Sequence, residues 1–183
     1  AALTFTDALE RGAAATAKLA SDGGGLELDL VDAMAQSASG IKLLRATAEA
    51  KFGEDAKNLV AIAGNTTVAK KLSDGDVEQN AERATVRSRD AQDSIQLKMI
   101  DGKWKVDVGA LTRGQDIVRV VPVFRAAGIA SRKLAAGIDS GKYKTIDEAR
   151  RAMTQLMGET VAQEMRKEFE PATAPASPAA AAA

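Results

Sequence analysis

The chain has 183 residues, and its 25 basic and 25 acidic residues give a formal charge of zero at neutral pH. Non-specific binding to nucleic acid or to an anionic membrane draws on an excess of Lys and Arg, so this balance, with basic residues dispersed among acids, argues against both partners. There is no Cys and no His. That removes thiol nucleophiles, Ser-His-Asp triads, disulfides and the usual zinc sites, and no catalytic residue, cofactor or metal ligand is assigned from the sequence.

The length suits one domain, here residues 1–170, followed by a tail. Hydrophobic residues make up 45% of the chain but aromatics only 3%, so the core must be built from small and aliphatic side chains, which suits closely packed helices. No apolar run approaches the roughly 20 residues needed to span a bilayer. The opening Ala1-Ala2 would suit a mature end left by signal peptidase, which places the expected location outside the cytoplasm.

In chain order, Thr4 to Ala20 reads as a first helix, with Phe5, Leu9 and Leu19 among alanines, Thr6-Asp7 at its start and Gly23-Gly24-Gly25 as its stop. A second helical region opens near Leu26, with Glu27 and Asp29 in the first turn where the helix dipole favours negative charge. Leu30, Met34 and Ala38 form its stripe, Gly40 marks a break, and Ile41, Leu44, Ala48 and Phe52 continue at helical spacing to Gly53. A third helix runs from Glu54 to Ala63, closed by Gly64-Asn65, and Thr66 to Ser73 is ambiguous between helix and loop.

From Asp74-Gly75 the apolar period shortens toward two, predicting strands over Val77 to Gln79 and Arg83 to Ser88, joined onward by a turn at Asp90-Ala91-Gln92-Asp93. Ser94 to Val108 is the clearest element. Ile95, Leu97 and Met99 alternate with Gln96 and Lys98, Asp101-Gly102 interrupts, and Trp104, Val106 and Val108 alternate with Lys103, Lys105 and Asp107. Asp-Gly supplies the positive φ values of a type I′ hairpin turn, and a two-residue loop fixes the register. Met99 then faces Trp104, Leu97 faces Val106 and Ile95 faces Val108, each pair contributing roughly 0.2–1 kcal/mol beyond burial. The other face sets Gln96 against Asp107 and Lys98 against Lys105, like charges that call for water.

Thr112-Arg113-Gly114-Gln115 has capping-box spacing and opens a long helix to Ile138. Pro122 inside it requires either a kink or a later start. Thr145-Ile146-Asp147-Glu148 is a second capping box, opening a last helix to Phe169 that pairs with its predecessor as an antiparallel hairpin, tied by Tyr143 in the loop. Residues 171–183 are uncharged Pro, Ala, Thr and Ser, the composition of a disordered tail. The fold class expected is therefore α+β: N-terminal helices, an antiparallel meander of three or four strands, and a C-terminal helical hairpin.

Several constellations could carry chemistry, and each has a plainer reading. Ser39-Gly40-Ile41-Lys42 has the Ser-x-x-Lys spacing of serine acyl-enzymes but lacks the companion motifs. Gly23-Gly24-Gly25 could present N–H groups to an anion, yet acids occupy the following turn. Asp29 with Asp32, Asp74 with Asp76 and Asp90 with Asp93 are explained by helix starts and turns. Trp104 alternates with Val106 on the core face, so packing is its first role.

The run from Ile95 to Asp107, with apolar alternation, Asp101-Gly102, Lys103-Trp104, an apolar residue and Asp107, resembles the closing hairpin of small bacterial domains in the nuclear transport factor two superfamily. The order of helices before a meander is similar too. The resemblance implies a curved sheet wrapped by helices around an apolar cavity, with Leu97, Met99, Trp104 and Val106 as candidate lining residues. The superfamily includes isomerases, dehydratases, adaptors and extracytoplasmic domains. With its enzymes' usual His absent, the expectation is a non-enzymatic domain binding a protein partner or a small apolar ligand. Two alternatives stand beside it: an isomerase or dehydratase using Asp107 or Asp101 as base, and a helical scaffold or assembly subunit.

Overall fold

The computed structural model describes residues 1–57, 59, 72, 74–89, 93–112 and 114–169. Helices α1 (Ala2–Glu10), α2 (Ala14–Ala20) and α3 (Leu26–Phe52) precede strands β1 (Asp76–Gln79), β2 (Arg83–Arg87), β3 (Ser94–Ile100) and β4 (Lys103–Val106). Three helices follow: α4 (Val108–Leu111), α5 (Ile117–Asp139) and α6 (Ile146–Phe169). This is the expected α+β order, and the sheet is a four-stranded antiparallel meander ordered β1-β2-β3-β4.

The N-terminal segment forms two helices, where periodicity alone predicts one. Gly12 takes φ 69°, and a Cβ built there would lie 3.0 Å from Cβ of Ser39, so the chain turns tightly against α3. Thr6 does not start a helix either; it lies buried within α1, and its Oγ1 donates to the Ala2 carbonyl at 3.0 Å.

Gly40 does not break α3, which runs unbroken through it. Its missing side chain serves a helix crossing instead. A Cβ at Gly40 would lie 2.5 Å from the Gly128 carbonyl oxygen, and one at Gly128 would lie 2.7 Å from the Gln36 carbonyl oxygen. The backbones of α3 and α5 therefore touch. The two helices run side by side in the same direction: Val31 and Ala35 share a core with Val121, and Leu44 and Ala48 share another with Leu134 and Ile138.

Those are the two cores of the molecule. The first gathers Phe5 and Leu9 of α1, the N-terminal half of α3, Val86, Ile95, Leu97 and Val106 of the sheet, and Val121. The second gathers the distal halves of α3 and α5 with Ala149 and Met153 of α6, together with Ala56 and Leu59. Of the predicted helix from Glu54 to Ala63, residues 53–55 form a 3₁₀ turn and Ala56, Lys57 and Leu59 are helical. The remainder of that helix, its Gly64-Asn65 close and all of Thr66 to Ser73 except Leu72 lie outside the described residues, as do Asp90, Ala91, Gln92, Arg113 and the tail.

The hairpin register agrees with the sequence pattern at Leu97↔Val106, Lys98↔Lys105, Met99↔Trp104 and Ile100↔Lys103. Asp101 and Gly102 take φ 48° and 71°. Ile95 does not pair with Val108, because Asp107 caps α4 by accepting from the Ala110 N–H and so ends the strand at Val106.

The expected capping box at Thr112 is not used. Thr112 is the C-cap of α4, with its Oγ1 donating to the Gly109 carbonyl, and Asp116 caps α5 by accepting from the Val118 N–H. The later start places Pro122 in the second turn of α5, where it forfeits a single intrahelical bond. The second box forms fully: Thr145 Oγ1 accepts from the Glu148 N–H, and Glu148 Oε2 accepts from the Thr145 and Lys144 N–H groups. Tyr143 ties down the loop by laying its ring over Gly137, where a Cβ would lie 2.3 Å from the ring.

Two stability outcomes follow from these contacts. Gly128→Ala forces α3 and α5 apart and is expected to lower stability by about 1–3 kcal/mol, read as a drop in the urea midpoint. Thr145→Ala removes one cap and is expected to cost about 1 kcal/mol in the same measurement.

Candidate functional site

The densest polar constellation among the described residues lies where the end of α2 meets β3 and β4. Ser21 bridges to Val106 in parallel fashion, and the Asp22 N–H donates to the Val106 carbonyl at 2.9 Å. This seats residues 21 and 22 along the outer edge of β4. Asp22 Oδ1 accepts from the Val108 N–H at 2.9 Å, while Oδ2 meets the Lys98 ammonium at 3.1 Å. Asp107 completes the cluster, with Oδ2 2.9 Å from the same ammonium and Oδ1 3.2 Å from the Ala110 nitrogen.

All four carboxylate oxygens thus have a donor. The Asp22 and Asp107 side chains are only 11% and 9% exposed, and that of Lys98 is 36% exposed. Burial on this scale requires pairing, because an isolated carboxylate out of water is heavily penalised.

The electrostatics favour the charged lysine. Its pKa is raised above the ordinary lysine value, first by the hydrogen bond to Asp107, with burial opposing and the Asp22 bond and the charges of both carboxylates reinforcing. A lysine acting as base or nucleophile at neutral pH needs the opposite shift. The cluster therefore acts as a clasp, joining the N-terminal helices, the hairpin and the start of α4 at one ammonium.

This placement corrects the sequence reading of the face carrying Lys98, Lys105 and Asp107. Asp107 is buried, not wet. The Lys98 and Lys105 pair is relieved from two sides, since Lys98 is neutralised by carboxylates and the Lys105 ammonium donates to the Leu19 carbonyl. Asp101, the other candidate base, is exposed in the hairpin turn.

Of the candidate cavity-lining residues, Leu97 and Val106 are buried within the first core, and Met99 and Trp104 are half-buried. Trp104 packs against that core. The remaining candidates do not converge. Ser39 and Lys42 are both exposed on α3. Gly25 is the N-cap of α3, and Asp32 forms an ion pair with Lys18 of α2. The Asp74 carbonyl accepts from Arg89 Nε at 3.0 Å. No group of three His, Cys, Asp or Glu among the described residues could hold a metal ion. No described helix is long and apolar enough to cross a membrane.

Sequence reasoning passed over Lys98 and Asp22. A signal existed for Lys98: in the predicted register Asp107 sits diagonally across the hairpin from it, within reach of a long side chain. Asp22 carried none, because its contact with Lys98 spans 76 residues of chain.

Comparison with known proteins places no relative beside this arrangement: no family model, curated protein or solved structure matches the chain.

Lys98→Met leaves two carboxylates facing each other and is expected to cost about 2 kcal/mol, less than the loss from a fully buried pair because Lys98 is partly exposed. A raised lysine pKa stabilises the fold fully below the unfolded value of about 10.4, and the contribution disappears as pH rises through the higher folded value. The gap in urea midpoint between parent and variant should therefore hold constant from neutrality to about pH 9.5 and close above it.

Proposed function

We propose that this protein is a non-enzymatic interaction domain that holds an extended segment of a protein partner along the outer strand of its sheet. The observation that carries this reading is β1. All four of its residues are exposed, and Val77 is 60% exposed although its register partner Val86 is buried in the core. Among the described residues β1 pairs with β2 alone. An end strand of this kind offers backbone donors and acceptors to an added strand, and proteins ordinarily blunt such edges.

The saturation of the Asp22, Lys98 and Asp107 cluster supports the non-enzymatic half of the reading, since its carboxylates are occupied and its lysine is held charged. The burial of Leu97 and Val106 within the first core favours a surface partner over an enclosed apolar ligand. The resemblance of the hairpin to the nuclear transport factor two superfamily, with its adaptors and extracytoplasmic domains, is compatible with this role and with a setting outside the cytoplasm.

Native mass spectrometry of the protein purified from its own host tests the reading. The expected result is a complex heavier than the 19.0 kDa chain, which Val77→Lys abolishes while leaving the circular dichroism spectrum unchanged. A bare chain would overturn the proposal. So would an added mass of only a few hundred daltons, which would favour the apolar ligand, or a complex that Val77→Lys leaves intact.

A further inference from the structure

The first 22 residues are joined to the body of the protein by Gly23-Gly24-Gly25. A Cβ added at Gly24 or Gly25 would meet nothing within 4 Å. Gly23 lies tight against α3, since a Cβ there would be 2.5 Å from the Glu27 Cβ, whereas Gly24 is not required for lack of room and supplies backbone freedom. Gly25 uses it directly, at φ 53°.

On the near side of this hinge, the fastening over the last five residues is mainly polar, with Ala20 alone packing on the first core. Lys18 pairs with Asp32, the Leu19 carbonyl accepts from Lys105, and Asp22 is held by the Val106 carbonyl, the Val108 N–H and Lys98. The apolar fastening lies further back, mainly in Phe5, Ala8 and Leu9 of α1 and Ala17 of α2. These side chains pack on the first core only, and none belongs to the second, which holds the distal halves of α3 and α5 together with α6.

We propose that residues 1–22 form a strap that opens as one unit about the Gly23–Gly25 hinge, with the Asp22, Lys98 and Asp107 clasp as its bolt. A contiguous segment that packs on one core alone can open below the global unfolding free energy while the other core stays packed. Opening uncovers the outer edge of β4, including the Val106 carbonyl and the Val108 N–H that Asp22 occupies when the strap is shut. The bolt works because both carboxylates share one ammonium. Without it, Asp22 and Asp107 repel each other across the seam, and the strap is pushed off the edge it covers. The opening requires no partner.

The absence of cysteine makes a clean test possible. Ala17→Cys reports on the strap and Ala130→Cys on the helical body, as both positions are fully buried. Thiol labelling under native conditions should be at least tenfold faster at position 17 than at 130. Adding Lys98→Met should speed position 17 by a further tenfold or more, because the clasp that holds the strap shut is gone. Equal rates at both positions, or a rate at position 17 that Lys98→Met leaves unchanged, would show that the segment does not open as a unit released by the clasp and would overturn the proposal. Hydrogen exchange read by mass spectrometry on the unsubstituted chain gives the same answer should a cysteine variant fail to fold. Amides of residues 1–22 exchanging together and ahead of those of α5 support the strap, and matched protection in the two regions refutes it.

Discussion

The structure is organised by the backbone contact between α3 and α5. At Gly40 and Gly128 neither helix has a side chain, and the space that a single methyl group would need is filled by a carbonyl of the opposite helix. A crossing this close fixes both the separation and the rotation of α3 and α5. It leaves room above for a core shared with the sheet and room below for one shared with α6. With 3% aromatic residues, the chain has few large side chains to span a wider gap, so close approach is the means by which alanines and small aliphatics can reach normal packing density. The uninterrupted course of α3 through Gly40 follows from the same contact.

The sheet is tied to this helical frame in two ways. Its buried face contributes Ala84, Val86, Ile95, Leu97 and Val106 to the first core. Its other face, which alternation alone assigns to water, is partly occupied by the end of α2, and there the chain uses charge in place of apolar contact. Lys98 stands at the meeting point because the hairpin brings Asp107 diagonally beside it and the β4 edge brings Asp22 from the far end of the chain. A single ammonium between two carboxylates, each also bonded to a backbone N–H, costs desolvation that only complete pairing offsets. The cluster is therefore all or nothing, which is the property of a fastening.

The two ends of the meander differ accordingly. β4 is covered along its outer side by Ser21 and Asp22, whereas β1 has exposed side chains on both of its faces. One edge is closed by the chain itself through a polar contact, and the other presents Val77 outward. The proposed interaction role rests on the β1 edge, and the proposed strap on the β4 edge.

The sequence by itself determined the elements whose causes are local. The meander and the hairpin register rest on period-two alternation and on Asp101-Gly102, whose turn chemistry leaves one pairing. The last helix rests on a capping box completed within four residues, and the Tyr143 loop on its neighbour Gly137. Only the tertiary structure decided the rest. Gly12 and Gly40 look alike in sequence, yet one turns the chain and the other admits a helix, because what each faces comes from distant segments, Ser39 and Gly128. Thr112 fits a cap by its spacing, but the short helix after Asp107 takes it as its own C-cap and leaves the start of α5 to Asp116. The Asp22, Lys98 and Asp107 clasp was invisible for the same reason. Charge pairing acts through space at about 3 Å, and no periodicity along the chain records a partner 76 residues away.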